Sequence, residues 1–304
     1  MKMKEIDKQK ETDWNKIRDS LNSLMPEGTK IDDSQQINIM KFINSFSNLR
    51  FDCNKIKLAK DFLNSAKDNL ILYKVAYQKK RYATAIFNLV LATEKIIKSY
   101  GLATFGIEKK DLFNIGHDSP ITFKILMEKE PYKSYLEILN TLQPNIINKD
   151  PKEIKEFVSD NTKINEILKA SEEKINLLIN SYEKADKIFD ENINKKISNV
   201  VNKSLSLISE KSQSLKDRLD FSIMPQLVSS FTKLACVSFI TFPHYFTSNY
   251  PDTDKIGYSN YNKNLGIVKA SPRIYKILNS AIEHLEVYLD KVDSVNKPNN
   301  VGGK

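Results

Sequence analysis

The chain has 304 residues, of which 40% are hydrophobic, and its formal net charge at pH 7 is +9. A chain of this length forms one or two domains, and its 13 Tyr and 15 Phe exclude a disordered protein. Only 8 Gly and 10 Pro are present, which favours long helices over a turn-rich β protein. We therefore predict an all-α protein.

The basic excess is concentrated in one part of the chain. Residues 51–110 contain 12 basic and 5 acidic residues. Such a balance predicts a basic surface, which is typical of proteins that bind nucleic acid or acidic partners. The alternative is a composition rich in lysine, asparagine and isoleucine that reflects an AT-rich genome and carries no function.

Several functional classes are excluded or disfavoured by the composition. Two cysteines, Cys53 and Cys236, are too few for a disulfide framework or a zinc cluster. The charged first residues and the absence of long apolar runs predict neither a signal peptide nor a membrane span, so we expect a cytoplasmic protein without membrane contact. The three histidines have no metal-ligand spacing and no glycine-rich phosphate loop occurs, so we expect no metal and no cofactor.

The first half of the chain predicts a helical hairpin that follows a short arm. Residues 1–50 are expected to form an N-terminal helical arm of two short helices. Helical periodicity then predicts a helix over 54–80, a tight turn at Lys79 and Lys80, and a second helix over 81–100. Gly101 follows where a helix C-cap would lie.

The second helix of this hairpin is apolar over most of its circumference, so we expect neighbouring helices to cover it on several sides. Its polar residues come late and include Glu94 and Lys98. Two adjacent rows of small and apolar residues support this prediction: Ala85, Leu89, Ala92 and Ile96 in one, and Ile86, Val90, Thr93 and Ile97 in the other.

A polar loop is predicted around residues 113–123. Asp118 or Ser119 can cap the next helix, with Pro120 in its first turn. His117 therefore lies just before a helix N-terminus. It is either a catalytic or ligand-binding residue, or a loop residue that stabilises the turn by hydrogen bonds.

Residues 152–224 contain neither glycine nor proline and predict a long helical insertion. Apolar residues at alternating steps of three and four from Ile164 to Phe189 are typical of a coiled-coil seam. An unbroken helix would be roughly 100 Å long at 1.5 Å per residue. A helical hairpin, with its turn near 190–195 or 209–214, is the alternative.

The last part of the chain predicts two more helices. An apolar helix over 227–242 follows Pro225, and an ordered turn with two prolines covers 243–252. Ser271 is predicted to open the last helix, with Pro272 at its first position. The residues from 293 to 304 are expected to form a disordered tail.

Three segments together resemble one known family, the HEPN superfamily. The helix RYATAIFNLVLATEKIIK at 81–98 resembles the helix that follows the amphipathic partner helix in that family. GHDSP at 116–120 resembles the turn that opens the next core helix. HYFTSNYPD at 244–252 resembles the segment before the last helix.

The resemblance implies an up-and-down helical bundle built from 51–150 and 225–292, with 151–224 as an insertion. Members of the family are commonly dimers and occur in toxin–antitoxin, abortive-infection and RNA-processing systems. Many are metal-independent ribonucleases that use an Arg-x(4–6)-His motif, and others bind nucleotides or proteins without catalysis. None of the five arginines of this chain has a histidine at that spacing, and Asn249 stands where the family commonly has arginine.

The leading hypothesis is thus a HEPN-like protein, non-enzymatic or degenerate, that binds RNA, a nucleotide or a cognate protein partner, is a homodimer, and acts in a defence or toxin–antitoxin setting. One alternative is a metal-independent RNA endonuclease with an atypical site built from His117, His244 and Tyr245. The other is a helical assembly scaffold that uses residues 152–224.

The candidate binding residues surround the polar end of the second hairpin helix. A carboxylate on a buried helix needs a partner, and for Glu94 that partner is predicted to be Lys98, four residues later, or a loop donor such as Tyr245. Glu94 is then either a structural ion pair or the floor of a pocket that orients His117 or His244. The candidate binding residues are Arg81, Glu94, Lys95, Lys98, Asp118, Tyr250 and Asp252.

Overall fold

The computed structural model describes five parts of the chain, and all of the regular structure in them is helical. No strand occurs within these described parts. None of their helices combines the length and the apolar character that a membrane span requires. The described residues are 53–104, 107–129, 160–187, 224–249 and 258–296.

Some of the predicted features lie outside the described residues. These are the arm over 1–50, the possible hairpin turns after residue 187, and the site residues Tyr250 and Asp252. In chain order, the helices of the described parts are α1 (Cys53–Gln78), α2 (Tyr82–Thr104), α3 (Lys109–Ile115), α4 (Ser119–Glu128), α5 (Asn161–Leu168), α6 (Glu172–Lys187), α7 (Met224–Thr241), α8 (His244–Thr247) and α9 (Gly266–Asn296).

Helix α2 is the centre of the packing. It pairs with α1 along its length and also contacts α4, α7, α8 and α9. Both of its predicted rows are buried, from Ala85 to Ile97. Each large apolar side chain buried in this way contributes about 1.5–3 kcal/mol relative to an exposed one. The prediction of a helix covered on several sides is confirmed.

Helix α2 does not end at Gly101, so the predicted C-cap is wrong. The helix continues to Thr104, and the chain then folds back so that the Ile107 amide donates to the Gly101 carbonyl at 3.1 Å. A Cβ atom at position 101 would lie 2.4 Å from Ile107 Cδ1. The glycine therefore makes room for the returning chain, a requirement that depends on a tertiary neighbour.

The turn between α1 and α2 is a Schellman motif with a lysine in the place where glycine is usual. The Arg81 amide donates to the Ala76 carbonyl at 2.9 Å, and the Lys80 amide donates to the Tyr77 carbonyl at 3.0 Å. Lys80 has a φ of 57°, in the left-handed region. A side chain in this region strains the backbone, because its Cβ approaches the carbonyl oxygen.

We expect the substitution Lys80→Gly to stabilise the protein by about 0.5–1 kcal/mol, because glycine adopts the left-handed conformation without strain. Urea unfolding followed by circular dichroism measures the change. The matched control is Lys79→Gly, since Lys79 has no positive φ and its replacement gives no such gain. Equal effects of the two substitutions would contradict the strain argument.

The predicted coiled-coil seam is interrupted at residues 169–171, where α5 ends and α6 begins. Helix α6 packs against α7 and α9; its seam residue Ile175 is buried in the common core and its seam residue Leu178 is partly buried against it, together with Ile179, which lies beside the predicted seam. The link between α5 and α6 also contacts the start of α9 closely, because a Cβ atom on Gly266 would lie 2.1 Å from the Ala170 carbonyl oxygen. The seam therefore marks the face that α6 turns to the bundle, because a heptad pattern specifies an apolar stripe and not its partner.

Helices α7 and α9 both begin earlier than predicted. Pro225 lies in the first turn of α7, and α9 starts at Gly266 with Pro272 inside it. Proline lacks the amide that would bond to the Val268 carbonyl. The Ser271 hydroxyl donates to that carbonyl instead, at 2.8 Å, which explains how the helix continues through the proline.

Helix α9 also continues into the segment that was predicted to be a disordered tail. It ends at Asn296, and Asp293 pairs with Lys60 of α1 at 2.9 Å. For residues 293–296 the prediction is therefore wrong, because a contact distant in sequence holds the last turn.

Candidate functional site

The turn between α3 and α4 carries the first site residue. Helix α3, which the sequence did not predict, ends at Gly116, whose φ of 52° favours glycine. Asp118 occupies the N-cap position of α4, with Pro120 in the first turn, as predicted, although the Asp118 side chain makes no capping bond. His117 therefore lies between Gly116, which ends α3, and Asp118, the N-cap residue of α4.

Glu94 of α2 connects this turn to the core. Its side chain is only 7% exposed, and Lys98, the predicted partner, places Nζ 2.6 Å from Glu94 Oε1. Lys98 Nζ also donates to the Gly116 carbonyl at 2.5 Å and lies 5.9 Å from the centre of the Phe62 ring. The buried charges are thus paired and hydrogen-bonded, as burial of an ion pair requires.

The second oxygen of the same carboxylate holds His117. Glu94 Oε2 lies 3.1 Å from His117 Nδ1, and the imidazole is 60% exposed. An acceptor at Nδ1 favours the tautomer that carries its proton there, which leaves the lone pair on Nε2. Nε2 makes no hydrogen bond within the described part of the chain. The arrangement therefore presents an oriented imidazole at the surface.

Tyr245 of α8 forms the other side of the imidazole. The two rings are stacked, with centroids 4.8 Å apart and planes 19° apart. Tyr245 also packs on Phe87 of α2 at 5.9 Å and against the exposed Phe246 at 5.0 Å. We name the group of His117, Tyr245 and Phe246 the imidazole–aromatic surface.

Asp118 adds a second carboxyl group near His117. Burial raises the pKa of Asp118 above its usual value, the charge of Glu94 raises it further, and the neighbouring His117 lowers it. Two carboxyl groups and one imidazole therefore influence one another at this turn. Such groups of interacting acids and bases are typical of functional sites, although structural networks show them too.

His244 is not part of this surface, although it directly precedes Tyr245. Its side chain is buried, and Nδ1 lies 2.7 Å from the Tyr261 hydroxyl, which also contacts the Thr247 hydroxyl at 2.7 Å. Burial lowers the pKa of His244 to about 3. Nε2 has no hydrogen-bond partner among the described residues. His244 therefore cannot exchange protons with a ligand at the surface.

Lys95 and Arg81 also lie apart from the imidazole. Lys95 Nζ donates to Ser65 Oγ at 2.8 Å and to Asn69 Oδ1 at 2.6 Å, and so joins α2 to α1. Arg81 is exposed before the first turn of α2, roughly 20 Å from Glu94 at 1.5 Å per residue. Of the predicted site residues that the structure describes, the ones brought together are Glu94, Lys98, His117, Asp118 and Tyr245.

Two parts of the site were missed at the level of sequence. The hydrogen bond from Lys98 to the Gly116 carbonyl could not be predicted, because the pattern of side chains does not show which backbone carbonyl lies near a lysine. Phe246 was overlooked, although an aromatic pair in a turn is an available signal for an exposed stacking surface. Among the described residues, no three His, Cys, Asp or Glu side chains come close enough to hold a metal ion.

The site can perform two kinds of chemistry. An oriented imidazole can transfer a proton or donate a hydrogen bond to an anion, and the exposed Phe246 ring, with the stacked His117 and Tyr245 rings beside it, can contact a planar ligand. The Lys98 ammonium is already engaged by Glu94 and Gly116. Comparisons of the chain with protein-family models, with curated proteins and with solved structures find no match.

Proposed function

We propose that this chain is a HEPN-like, up-and-down helical bundle that binds single-stranded RNA at the imidazole–aromatic surface. The observation that carries the proposal is the exposed imidazole of His117, stacked on Tyr245 and oriented by the buried Glu94. A homodimeric state and a role in defence or in a toxin–antitoxin pair belong to the same proposal and derive from the family resemblance.

Single-stranded RNA suits this surface better than a duplex does. Unpaired bases expose their faces, and stacking on an aromatic side chain contributes about 1–3 kcal/mol per base. A protonated imidazole at His117 can also donate a hydrogen bond to phosphate or to a base edge. The net charge of +9 favours association with a polyanion in general.

We expect Tyr245→Ala to weaken the binding of a short single-stranded RNA roughly tenfold, because it removes the ring on which the exposed His117 imidazole is stacked and so disrupts the stacking surface. Fluorescence anisotropy at physiological ionic strength measures the dissociation constant. Phe246→Ala should have a smaller effect in the same direction. Leu177→Ala, which removes an exposed side chain from α6, is the control and should leave the affinity unchanged.

The proposal would be refuted by equal affinities of the wild type and both aromatic variants. Circular dichroism spectra of each variant are needed beside the binding curves, since Tyr245 also packs on Phe87. If a double-stranded RNA bound as tightly as the single strand, the affinity would have to come from electrostatic attraction and not from base stacking.

A second candidate function, metal-independent RNA cleavage, is favoured by the Glu94–His117 contact alone. A carboxylate at Nδ1 orients an imidazole for proton transfer at Nε2. In RNA the 2′-hydroxyl would lose its proton to Nε2 and attack the adjacent phosphorus. The new bond joins the 2′-oxygen to phosphorus, the bond to the 5′-oxygen breaks, and the leaving oxygen takes up a proton from solvent water.

Incubation with single-stranded RNA and transfer RNA in EDTA tests this second candidate. Removal of a general acid or base slows a reaction by about two to four orders of magnitude. His117→Ala should therefore abolish cleavage, while Tyr245→Ala should reduce it through weaker binding. An intact RNA after incubation with the wild type rejects cleavage and leaves the binding proposal as it stands.

A further inference from the structure

The outer face of α1 changes character along its length. Its first half carries exposed polar residues such as Lys57, Asp61 and Asn64, and the exposed Asp68 follows one turn before the aliphatic residues described next. Its second half carries three exposed aliphatic side chains, Ile71 at 62%, Leu72 at 53% and Val75 at 44%. Ile71 and Val75 are one turn apart, and Leu72 lies beside them, so the three form one patch. We name these three residues the α1 patch.

Four exposed cations surround the α1 patch. Lys74 lies on the same turn of α1, and Lys79, Lys80 and Arg81 form the tip of the α1–α2 hairpin. None of the four makes an ion pair with another residue of the described ranges. Within the described ranges, this group of cations is therefore not neutralised by direct ion pairs.

The other flank of α1 shows that its lysines pair where acidic groups are available. Three of them reach α9 or the segment before α3 across the bundle surface. The pairs are Lys55 with Glu108, Lys60 with Asp290 and Asp293, and Lys67 with Glu286. The cations near the α1 patch differ because they form no such pair within the described part of the chain.

Lys80 supplies a second, independent observation. It holds a left-handed backbone conformation that favours glycine, so the chain keeps a cation there against the preference of the backbone. Strain of this kind is found where a side chain serves a function that offsets its conformational cost.

We propose that the α1 patch and the four cations around it bind an acidic amphipathic helix of a partner protein. Apolar residues one helical turn apart match the stripe of such a helix, and acidic residues beside that stripe would pair with Lys74, Lys79, Lys80 and Arg81. Binding of such a helix would thus bury the three aliphatic side chains and neutralise the four cations at the same time.

The same observations disfavour the other occupants. In a two-fold dimer that placed two copies of α1 parallel through this face, identical clusters of cations would meet, which charge repulsion opposes; the antiparallel arrangement is tested by sedimentation below. Nucleic acid would pair with the cations but would leave the aliphatic side chains without a partner. The surface is distinct from the proposed RNA site, because Arg81 lies roughly 20 Å from Glu94 along α2.

Two synthetic peptides test the proposal in fluorescence anisotropy with the full chain. One is an amphipathic helix with leucines on one face and glutamates beside them, and the other has lysines in place of the glutamates. We expect the acidic peptide alone to bind. We also expect Lys80→Glu and the double substitution Ile71→Ser with Val75→Ser each to weaken its binding at least tenfold.

Matched controls separate the surface from general charge effects. Lys57→Glu reverses an exposed lysine on the polar half of α1, and Leu177→Ser removes an exposed leucine from α6. Both should retain the affinity of the wild type within a factor of two. All of the substituted residues are exposed, so circular dichroism should show an unchanged fold.

Four outcomes would overturn the proposal. The first is failure of the acidic peptide to bind, and the second is equal binding of the two peptides. The third is binding to vesicles of phosphatidylserine that the same variants abolish, which would identify a membrane surface. The fourth is a dimer in sedimentation that the double substitution converts to a monomer, which would identify a second copy as the occupant.

Discussion

Replacement of Lys98 by methionine should destabilise the protein by about 3–5 kcal/mol at pH 7, because it leaves the buried Glu94 carboxylate without its cation. Methionine retains the apolar stem, so the loss comes mainly from the charge. The free energy of unfolding in urea, followed by circular dichroism, is the measurement. RNA binding should also weaken, since Lys98 holds the Gly116 carbonyl that precedes His117.

Lys124→Met is the matched control. Lys124 and Glu128 have the same spacing of four residues on a helix, but their side chains are 30% and 56% exposed. Exposed pairs of this kind contribute about 0.3–0.5 kcal/mol. The double variant Glu94→Gln with Lys98→Met should recover much of the lost stability, because it removes both charges. A loss for Lys98→Met no larger than for Lys124→Met would contradict the buried pair.

Acidification from pH 6.5 to pH 5 should destabilise the wild type by about 2 kcal/mol through His244 alone. The pKa of this histidine is lowered from 6.5 to about 3 by burial. Between these values the unfolded chain binds a proton and the folded chain does not, so protons favour unfolding. The contribution is fully present above pH 6.5 and declines as the pH falls toward 3.

His244→Gln tests this expectation, because glutamine does not titrate and its amide can still hydrogen-bond to Tyr261. Thermal or urea unfolding at several pH values between 5 and 7.5 should show a shallower pH dependence for the variant. His117→Gln provides the comparison, since it removes an exposed imidazole instead of the buried one. Parallel pH profiles of the wild type and His244→Gln would contradict the assignment of the pH dependence to His244.

The two histidines also explain why the site could be located only in part from the sequence. Both occupy turns next to helices, and both were equal candidates on that ground. The structure brings His117 to Glu94 and Tyr245 but directs His244 inward to Tyr261. Neighbouring residues of a helical turn point about 100° apart, so Tyr245 can reach the surface cluster while His244 cannot.

Helix boundaries show the same division between local and distant causes. The all-α class, the α1–α2 hairpin, the burial of α2 and the pairing of Glu94 with Lys98 followed from periodicity and from the spacing of four residues, which act within one helix. The continuation of α2 past Gly101 and of α9 through Pro272 did not follow. For α2 it depends on the returning chain at Ile107, which only the folded chain brings into place. For α9 it depends on a local bond from the Ser271 hydroxyl to the Val268 carbonyl, which the position of the proline alone did not indicate.

The amino-acid sequence was sufficient for features that neighbouring residues decide: the helical class, the apolar circumference of α2, the turn at Gly116 to Pro120 and the identity of Glu94 as a carboxylate in need of a partner. The tertiary structure alone decided which histidine meets that carboxylate, which face α6 buries, and that the α1 patch has no cover within the described chain. These outcomes depend on contacts between residues far apart in sequence, and a periodic pattern specifies that a face is buried without specifying what buries it.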